Sequence, residues 1–262
     1  MTQRDALKEI ILKKKEKILL AKQNIPEEEL KAKIPGLPAT RPLIKAINKP
    51  HAISLIAEIK KASISRGIIR QEFNPLEIAG IYQDSGAQAI SILTEEDYFS
   101  GSIAYINEVK AAVNLPILRK DFILEPYQVY ESRVFGADAI LLIADLLSKE
   151  KLSELIGIAG SIGLDCLLEV HNEKELKKVL SLKASLIGIN NRDLHSLEVD
   201  LKTTEKLFPL IPKDKVVVVE SGMKNCQDVL FLKILGVSAV LVGEALMEAT
   251  DIKAKVQELM GW

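Results

Sequence analysis

Five ionisable side chains stand at the ends of apolar, β-branched runs. They are Glu58 and Lys60 in "LIAEIK" (55–60), Lys120 in "PILRKDF" (116–122), Glu169 in "DCLLEV" (165–170) and Glu220 in "VVVVES" (216–221). An unpaired charge buried there would be costly or would shift its pKa until it is neutral. Such charges therefore reach water just past the strand or serve a site. Residues two apart share a face of a strand, so Glu58 and Lys60 point the same way. Lys120 is in phase with Leu118, and Glu169 with Leu167. Arg119 and Asp121 fall out of phase with Lys120 and are expected in wall or helix packing. Two lysines and three glutamates around one mouth would form a polyvalent acid–base site. The alternative is a network in which they only pair with one another.

Glycine-containing turns add a second element. "ESG" (220–222) holds Ser221 and Gly222, and "VGEAL" (242–246) holds Gly243 with Glu244 opening a helix. They place backbone N–H groups at a loop and at a helix start, where an anion binds well. Singly, each glycine reads as a turn or helix device; the two together favour a phosphate. The long polar stretch "KASISRG" (61–67) could supply a third wall. Asn190 ends "LIGINN" (186–191), with Arg192 just beyond it.

The elements that must position these groups recur as strand, turn, helix. Besides the runs above, "AISILTE" (89–95), "AILLIA" (139–144) and "AVLVGEAL" (239–246) read as strands. Amphipathic stretches such as "YINEVKAAV" (105–113) lie between them. "SGAQAISI", "FGADAILL" and "LGVSAVLV" each place a Gly where a helix ends, before the next strand. Eight buried strands alternating with helices predict a parallel sheet closed as a (β/α)₈ barrel, whose catalytic groups lie at the C-terminal strand ends. A doubly wound open sheet is the alternative, but no GxGxxG follows the first strand. Residues 48–262 are read as the barrel and 1–47 as an N-terminal helical extension, within a single domain. Leu7, Ile10, Ile11, Ile18 and Leu19 have helical spacing, and "KKKEK" (13–17) reads as a solvated face. The pattern does not say whether these helices cover the barrel's bottom or a rim.

Net charge is −1, with 48% apolar and 27% charged residues, which gives no global case for a nucleic-acid or acidic partner. Two cysteines outside any CxxC pattern suit a reducing compartment, and Cys166 reads as a core residue. No apolar run reaches membrane-spanning length, and the N-terminus lacks a signal-peptide stretch, so a cytoplasmic location is expected. His51, His171 and His195 lack metal-ligand spacing, so no metal is expected.

"LIAEIKKASISRG", "AISILTEEDYFSGS", "PILRKDFI", "GADAILLI", "LLEVHNEKEL", "IGINNRDL", "VVVESG" and "LVGEALM" resemble, in order, the motifs of indole-3-glycerol phosphate synthases. The resemblance spans roughly residues 51–247. It implies a (β/α)₈ barrel with an N-terminal helical extension and a step of tryptophan biosynthesis. The implied substrate is an anthranilate-derived sugar phosphate, 1-(2-carboxyphenylamino)-1-deoxyribulose 5-phosphate, which closes to an indole with loss of CO₂ and water. No cofactor and no obligate protein partner are implied. Carried over residue by residue, Lys120 matches a general acid and Glu169 a base. Glu58 matches a carboxylate near the sugar carbonyl, and Lys60 a group that pairs with the substrate's carboxylate or phosphate and is open as a further acid. Asn190 and Glu220 match residues that hold polar groups of the substrate, and Arg192 one that braces the rim. Ser63, Ser221, Gly222, Gly243 and Glu244 match a phosphate cradle, Glu244 through its backbone N–H. Phe99, Phe122, Leu141 and Leu194 match apolar walls around the anthranilate ring.

There are departures. Ile64 and Arg66 stand where the family usually has Pro and Lys, and "RPL" (41–43) replaces an aromatic-containing stretch. Two rival functions share the fold: a Schiff-base aldolase with Lys120 or Lys60 as nucleophile, and a binder of phosphorylated ligands without catalysis. If Lys120 is a desolvated acid among apolar walls, its removal should leave stability unchanged or raise it. If it is kept for ion pairing, stability should fall.

Overall fold

A computed structural model describes residues 3–262. Eight strands form a closed parallel barrel: β1 (Ser54–Ile59), β2 (Ala89–Leu93), β3 (Ile117–Lys120), β4 (Ala139–Ile143), β5 (Asp165–Val170), β6 (Leu186–Asn190), β7 (Val216–Glu220) and β8 (Ala239–Val242). β8 pairs with β1, so the (β/α)₈ expectation holds and the doubly wound alternative falls. Several strands stop earlier than their apolar runs, β2 at Leu93 and β8 at Val242. The polar and glycine residues that follow leave the ladder to build the rim. The repeated Gly phrase ends helices as read. Gly86, Gly136 and Gly236 have φ of 86°, 96° and 103°, a left-handed conformation that glycine adopts without a Cβ clash.

Strand alternation builds two cores. Ile56, Leu118, Leu141, Leu167, Val218 and Leu241 fill the inside of the barrel. Leu55, Ala57, Ile90, Leu142, Leu168 and Val219 face the surrounding helices.

The segment before the barrel covers both ends. Near the bottom, the short helix Leu43–Ile47 inserts Leu43 and Ile47, both fully buried. Ile44 N–H donates to Asp165 Oδ2 at 3.0 Å, and Ser54 Oγ donates to Ile47 O at 2.9 Å. The "RPL" stretch has a local task here: the Arg41 guanidinium donates to Val113 O and Leu115 O at 2.7 and 3.0 Å. At the other end, α1 (Gln3–Asn24) turns Leu7 and Ile10 into the mouth of the barrel.

The reading of "KKKEK" as a solvated face is corrected for Lys14, while Lys13 is exposed as read and Lys17 is half-buried. Lys14 is 6% exposed and lies 2.7 Å from Asp121 Oδ1. Lys17 pairs with Glu96 and Asp97, and Lys13 with Glu9. The buried stripe runs Leu7, Ile10, Lys14, Ile18, so Lys14 occupies a core position of the helix; Leu19 is 59% exposed, off that stripe. The barrel presents a buried carboxylate to it, because Asp121 is also held by Arg119 at 3.0 Å and Thr94 at 2.6 Å. Burial acts against the ionised carboxyl, but the charges of Arg119 and Lys14 outweigh it and hold Asp121 at a pKa of about 2. Lys14→Met should therefore lower stability by about 2–3 kcal/mol, below the 3–5 of a fully broken buried pair because Arg119 remains. Urea unfolding checks this, and an unchanged midpoint would show that α1 is not latched here.

Candidate active site

Because the parallel register slants around the barrel, Glu58 of β1, Lys120 of β3, Glu169 of β5 and Glu220 of β7 arrive at one level. They form the uppermost layer contributed by the odd strands, above Ile56, Leu118, Leu167 and Val218. A layer of four charges fits only if the even strands yield space. They do so with glycine. A Cβ on Gly188 of β6 would stand 2.6 Å from Glu220 Oε1, and one on Gly243, after β8, 2.3 Å from Glu58 Oε1. The Gly243 turn thus has a task the sequence reading missed: it accommodates a carboxylate.

The charges are organised around Lys120. Its Nζ lies 2.6 Å from Glu220 Oε2 and 3.3 Å from Glu169 Oε2. Lys60 Nζ lies 2.9 Å from Glu58 Oε1, as their shared phase requires. Burial opposes the ammonium of Lys120, but the charges of Glu220, Glu169 and Glu58 outweigh it and raise its pKa above the ordinary lysine value. The picture of a lysine among apolar walls is therefore wrong in its electrostatics. The pairing that the ion-network alternative called for is present among the same residues that were read as an acid–base set.

The two carboxylates that share Lys120 differ. Burial dominates for Glu220 and, with the nearby Glu169 charge, raises its pKa despite Lys120. Burial acts the same way on Glu169, but Lys120 and His171 overcome it and hold its pKa low. His171 is a residue that the sequence reading weighed only as a metal ligand and not as part of this site. Its Nε2 is 3.2 Å from Glu169 Oε1 and its Nδ1 3.1 Å from Glu175 Oε2. The signal was available, since His171 lies two residues past Glu169 and so in phase with it. Arg119 and Asp121 behave as their phase predicts: Arg119 is buried against Asp121, Glu131 and Ser132.

All sixteen residues singled out from the sequence line one cavity of about 180 Å³ at this end of the barrel. Lys120, Glu169, Glu58, Lys60, Asn190 and Glu220 form its polar floor. Phe99, Phe122, Leu141 and Leu194 form an apolar side, to which α1 adds Leu7 and Ile10. These two were missed as site residues because their helical spacing carries no information on which barrel end they meet. Ser63, Ser221, Gly222, Gly243, Glu244 and Arg192 contribute a further wall.

That wall has unusual backbone. Ser221 has φ of 65° and Gly222 of 94°, two successive left-handed residues directly after β7. A side chain at Gly222 would meet Leu201 Cδ2 at 2.7 Å. Strain of this kind persists where surrounding structure enforces it, often at ligand sites. A short helix, Glu244–Met247, starts at Gly243. The Glu244 carboxylate is held by Arg192 at 3.1 Å and by Arg66 at 3.0 Å, so its side chain is committed to two guanidinium groups. Arg66 also reaches Glu248 at 2.9 Å, which ties the loop after β1 to the end of that short helix. Among the described residues, no helix is long and apolar enough to cross a membrane.

Comparisons with known proteins agree with this geometry. Solved barrels such as 3-hexulose-6-phosphate synthase from Salmonella typhimurium superpose with a TM-score of 0.62 at 12% identity, covering 80% of this chain and 97% of that one. At that identity the likeness concerns the fold alone. Sequence relatives are far nearer. An indole-3-glycerol phosphate synthase of Acetivibrio thermocellus is 49% identical over 254 residues, covering 96% of this chain and 98% of the relative. One of Dehalococcoides mccartyi strain 195 is 51% identical over 236 residues, covering 89% and 90%. The family profile described as "Indole-3-glycerol phosphate synthase" matches residues 7–259. A charged top layer, an apolar flank and a strained glycine turn on one barrel mouth, carried by a sequence that matches this profile over nearly its whole length, mean that the chain belongs to the indole-3-glycerol phosphate synthase family.

Proposed function

We propose that Lys120 is the proton donor and Glu169 the proton acceptor of ring closure in this barrel. The enzyme is an indole-3-glycerol phosphate synthase, a carboxy-lyase of tryptophan biosynthesis. In the proposed assignment its substrate is 1-(2-carboxyphenylamino)-1-deoxyribulose 5-phosphate. The ring carbon that bears the carboxylate attacks the sugar carbonyl carbon, and the carbonyl oxygen takes a proton from Lys120. The bond to the carboxylate then breaks, its electrons return to the ring and CO₂ leaves. Finally Glu169 removes a proton from the intermediate and the departing hydroxyl takes that proton up, so that water leaves and the carboxylate is restored.

One observation carries this reading: the Lys120 ammonium sits between Glu220 and Glu169 on the cavity floor. Its raised pKa suits a donor to an alkoxide, which is a far stronger base than an amine. It also links the two steps. While Lys120 is charged, Glu169 is a weak base; once Lys120 has given up its proton, Glu169 has lost one of its cations and its basicity rises. Glu58, paired with Lys60, supports proton transfer at the sugar carbonyl, and Lys60 meets the substrate's carboxylate or phosphate. Asn190 and Glu220 hold the substrate's polar groups, and Arg192 braces the rim through Glu244. Phe99, Phe122, Leu141 and Leu194 enclose the ring. Ser63, Ser221, Gly222, Gly243 and the Glu244 backbone receive the phosphate. The domain reading stays that of a helical extension, 1–47, on a single barrel, 48–262. Partners beyond this small molecule are not invoked, and the location proposed is the cytoplasm.

The direct test is indole fluorescence on adding this substrate; a silent, folded enzyme would overturn the assignment. A Schiff-base aldolase would instead be trapped on a lysine by borohydride with a sugar phosphate. The cradle has its own test. Inorganic phosphate should inhibit competitively, and Gly222→Ala should weaken that inhibition, because the new methyl would crowd Leu201 and the left-handed turn would relax. Equal inhibition constants for the two proteins would place the phosphate elsewhere.

A further inference from the structure

Lys120 lies nearer to Glu220 than to Glu169, at 2.6 against 3.3 Å. Proximity to the ammonium alone would make Glu220 the more acidic of the two. Burial and the Glu169 charge favour the opposite order by raising Glu220, and the partners of the other oxygens differ. Glu220 Oε1 is buried without a hydrogen-bond partner. Glu169 Oε1 faces His171 Nε2 at 3.2 Å, an ion-pair distance without hydrogen-bond alignment.

The ring is built to stay charged and in place. Its side chain is 6% exposed, and its Nδ1 lies 3.1 Å from Glu175 Oε2. Glu175 is fixed in turn: His171 N–H donates to its Oε2 at 2.8 Å, the Asn172 amide donates to its Oε1, and its own N–H donates to Asn172 Oδ1 at 3.0 Å. Asn172 is the N-cap of the helix Glu173–Leu180, so the helix start itself holds Glu175. Burial works against the imidazolium, but Glu169 and Glu175 outweigh it and lift its pKa to about 10. The groups acting on Glu169 are Lys120 from β3, His171 after β5 and the Asn190 side chain from β6; Glu220 from β7 and Glu58 from β1 act on the shared Lys120.

We infer that His171 is a positioning residue that decides which of the two buried carboxylates stays ionised, reserving Glu169 for the reaction and leaving Glu220 as the one that carries a proton. The inference rests on Glu169 as the base. Its physical basis is the moment after Lys120 has donated its proton. Two buried anions then share one neutral amine, and repulsion drives a proton onto one of them. Uptake by Glu169 would block the next step. The imidazolium on Glu169 Oε1 directs that proton to Glu220.

The test combines carboxyl NMR with a pH profile. Enzyme labelled at glutamate Cδ should show a buried carboxyl titrating above the ordinary carboxylate range. That resonance should vanish in Glu220→Gln and persist in Glu169→Gln. In His171→Gln the high titration should spread to Glu169. The acid limb of kcat should then rise toward neutrality, so that turnover one pH unit below it falls by about 10-fold while turnover at high pH and KM change little. His171→Asn should do the same and serves if the first variant folds poorly. A histidine that only packs would leave the limb where it is. The inference is overturned if the limb and titrations of both variants match the wild type, or if the wild-type high resonance belongs to Glu169. Substantial turnover by Glu169→Gln would instead sink the base assignment itself, a result the carboxyl titrations do not depend on.

Discussion

Lys120→Met lowers kcat by about 10²–10⁴, roughly 3–5 kcal/mol of barrier, while KM changes much less. The methionine keeps most of the stem and removes the charge and the proton, so the loss falls on the transition state. The structure adds a second consequence, opposite in sign to that expected of an ammonium among apolar walls. Glu169 and Glu220 are 2% and 1% exposed, and Lys120 is the cation between them. Its removal leaves a buried anionic pair with His171 beside Glu169 alone of the two, so stability falls by about 2–4 kcal/mol. The loss depends on pH in a defined direction. Without Lys120 the already raised pKa of Glu220 climbs further, and Glu169 loses the main charge that held its own pKa low. A raised carboxyl pKa destabilises the fold above that pKa and ceases to matter below the unfolded value, so the deficit grows as pH rises from about 5 to 8. Urea midpoints across that range, with kcat on the same protein, check both halves. Near-normal turnover with a lowered midpoint would make Lys120 scaffolding and move the proton donor to Lys60. Lys120→Met/Glu220→Gln should recover much of the stability and none of the turnover.

Gly243→Ala carries the next largest effect, on a residue whose apparent task was to hold phosphate. A methyl there would lie 2.3 Å from Glu58 Oε1 and 3.0 Å from Glu58 Cβ. A carboxylate tip could swing away, but a Cβ moves only with its strand. β1 and β8 are hydrogen-bonded neighbours, so the strain has no outlet except separation of the pair or displacement of Glu58. Overpacking of this kind costs about 1–3 kcal/mol. Displacing Glu58 by about an ångström disturbs Lys60, 2.9 Å from it, and should cost about 10²-fold in kcat. A turn that only cradles phosphate predicts a different pattern: KM and the phosphate inhibition constant rise while kcat holds. Steady-state kinetics therefore separate the two tasks. An unchanged kcat with a raised KM would show that Glu58 tolerates the methyl and that its placement is not critical.

Much of this site was legible without coordinates, for a physical reason. Strand periodicity is local, so the phase of Glu58, Lys60, Lys120, Glu169 and Glu220 follows from their neighbours, as does the opposite phase of Arg119 and Asp121. Eight strand–helix units leave few closed arrangements, and catalytic groups collect at one end of this fold. The glycine at three helix ends was equally readable, because the need for positive φ is a backbone property. What the chain alone did not show is who neighbours whom around the ring of strands. That Lys120 is shared by two carboxylates, that His171 stands behind only one of them, and that Gly188 and Gly243 make room for carboxylates all depend on the register at closure. The docking of α1 is of the same kind. Helical spacing marked Leu7 and Ile10 as buried, but Lys14 reads as solvated until Asp121, held by Arg119 and Thr94, is brought against it. A charge is placed in a core only by the partner that compensates it, and here that partner lies more than a hundred residues away, where only the tertiary structure brings it.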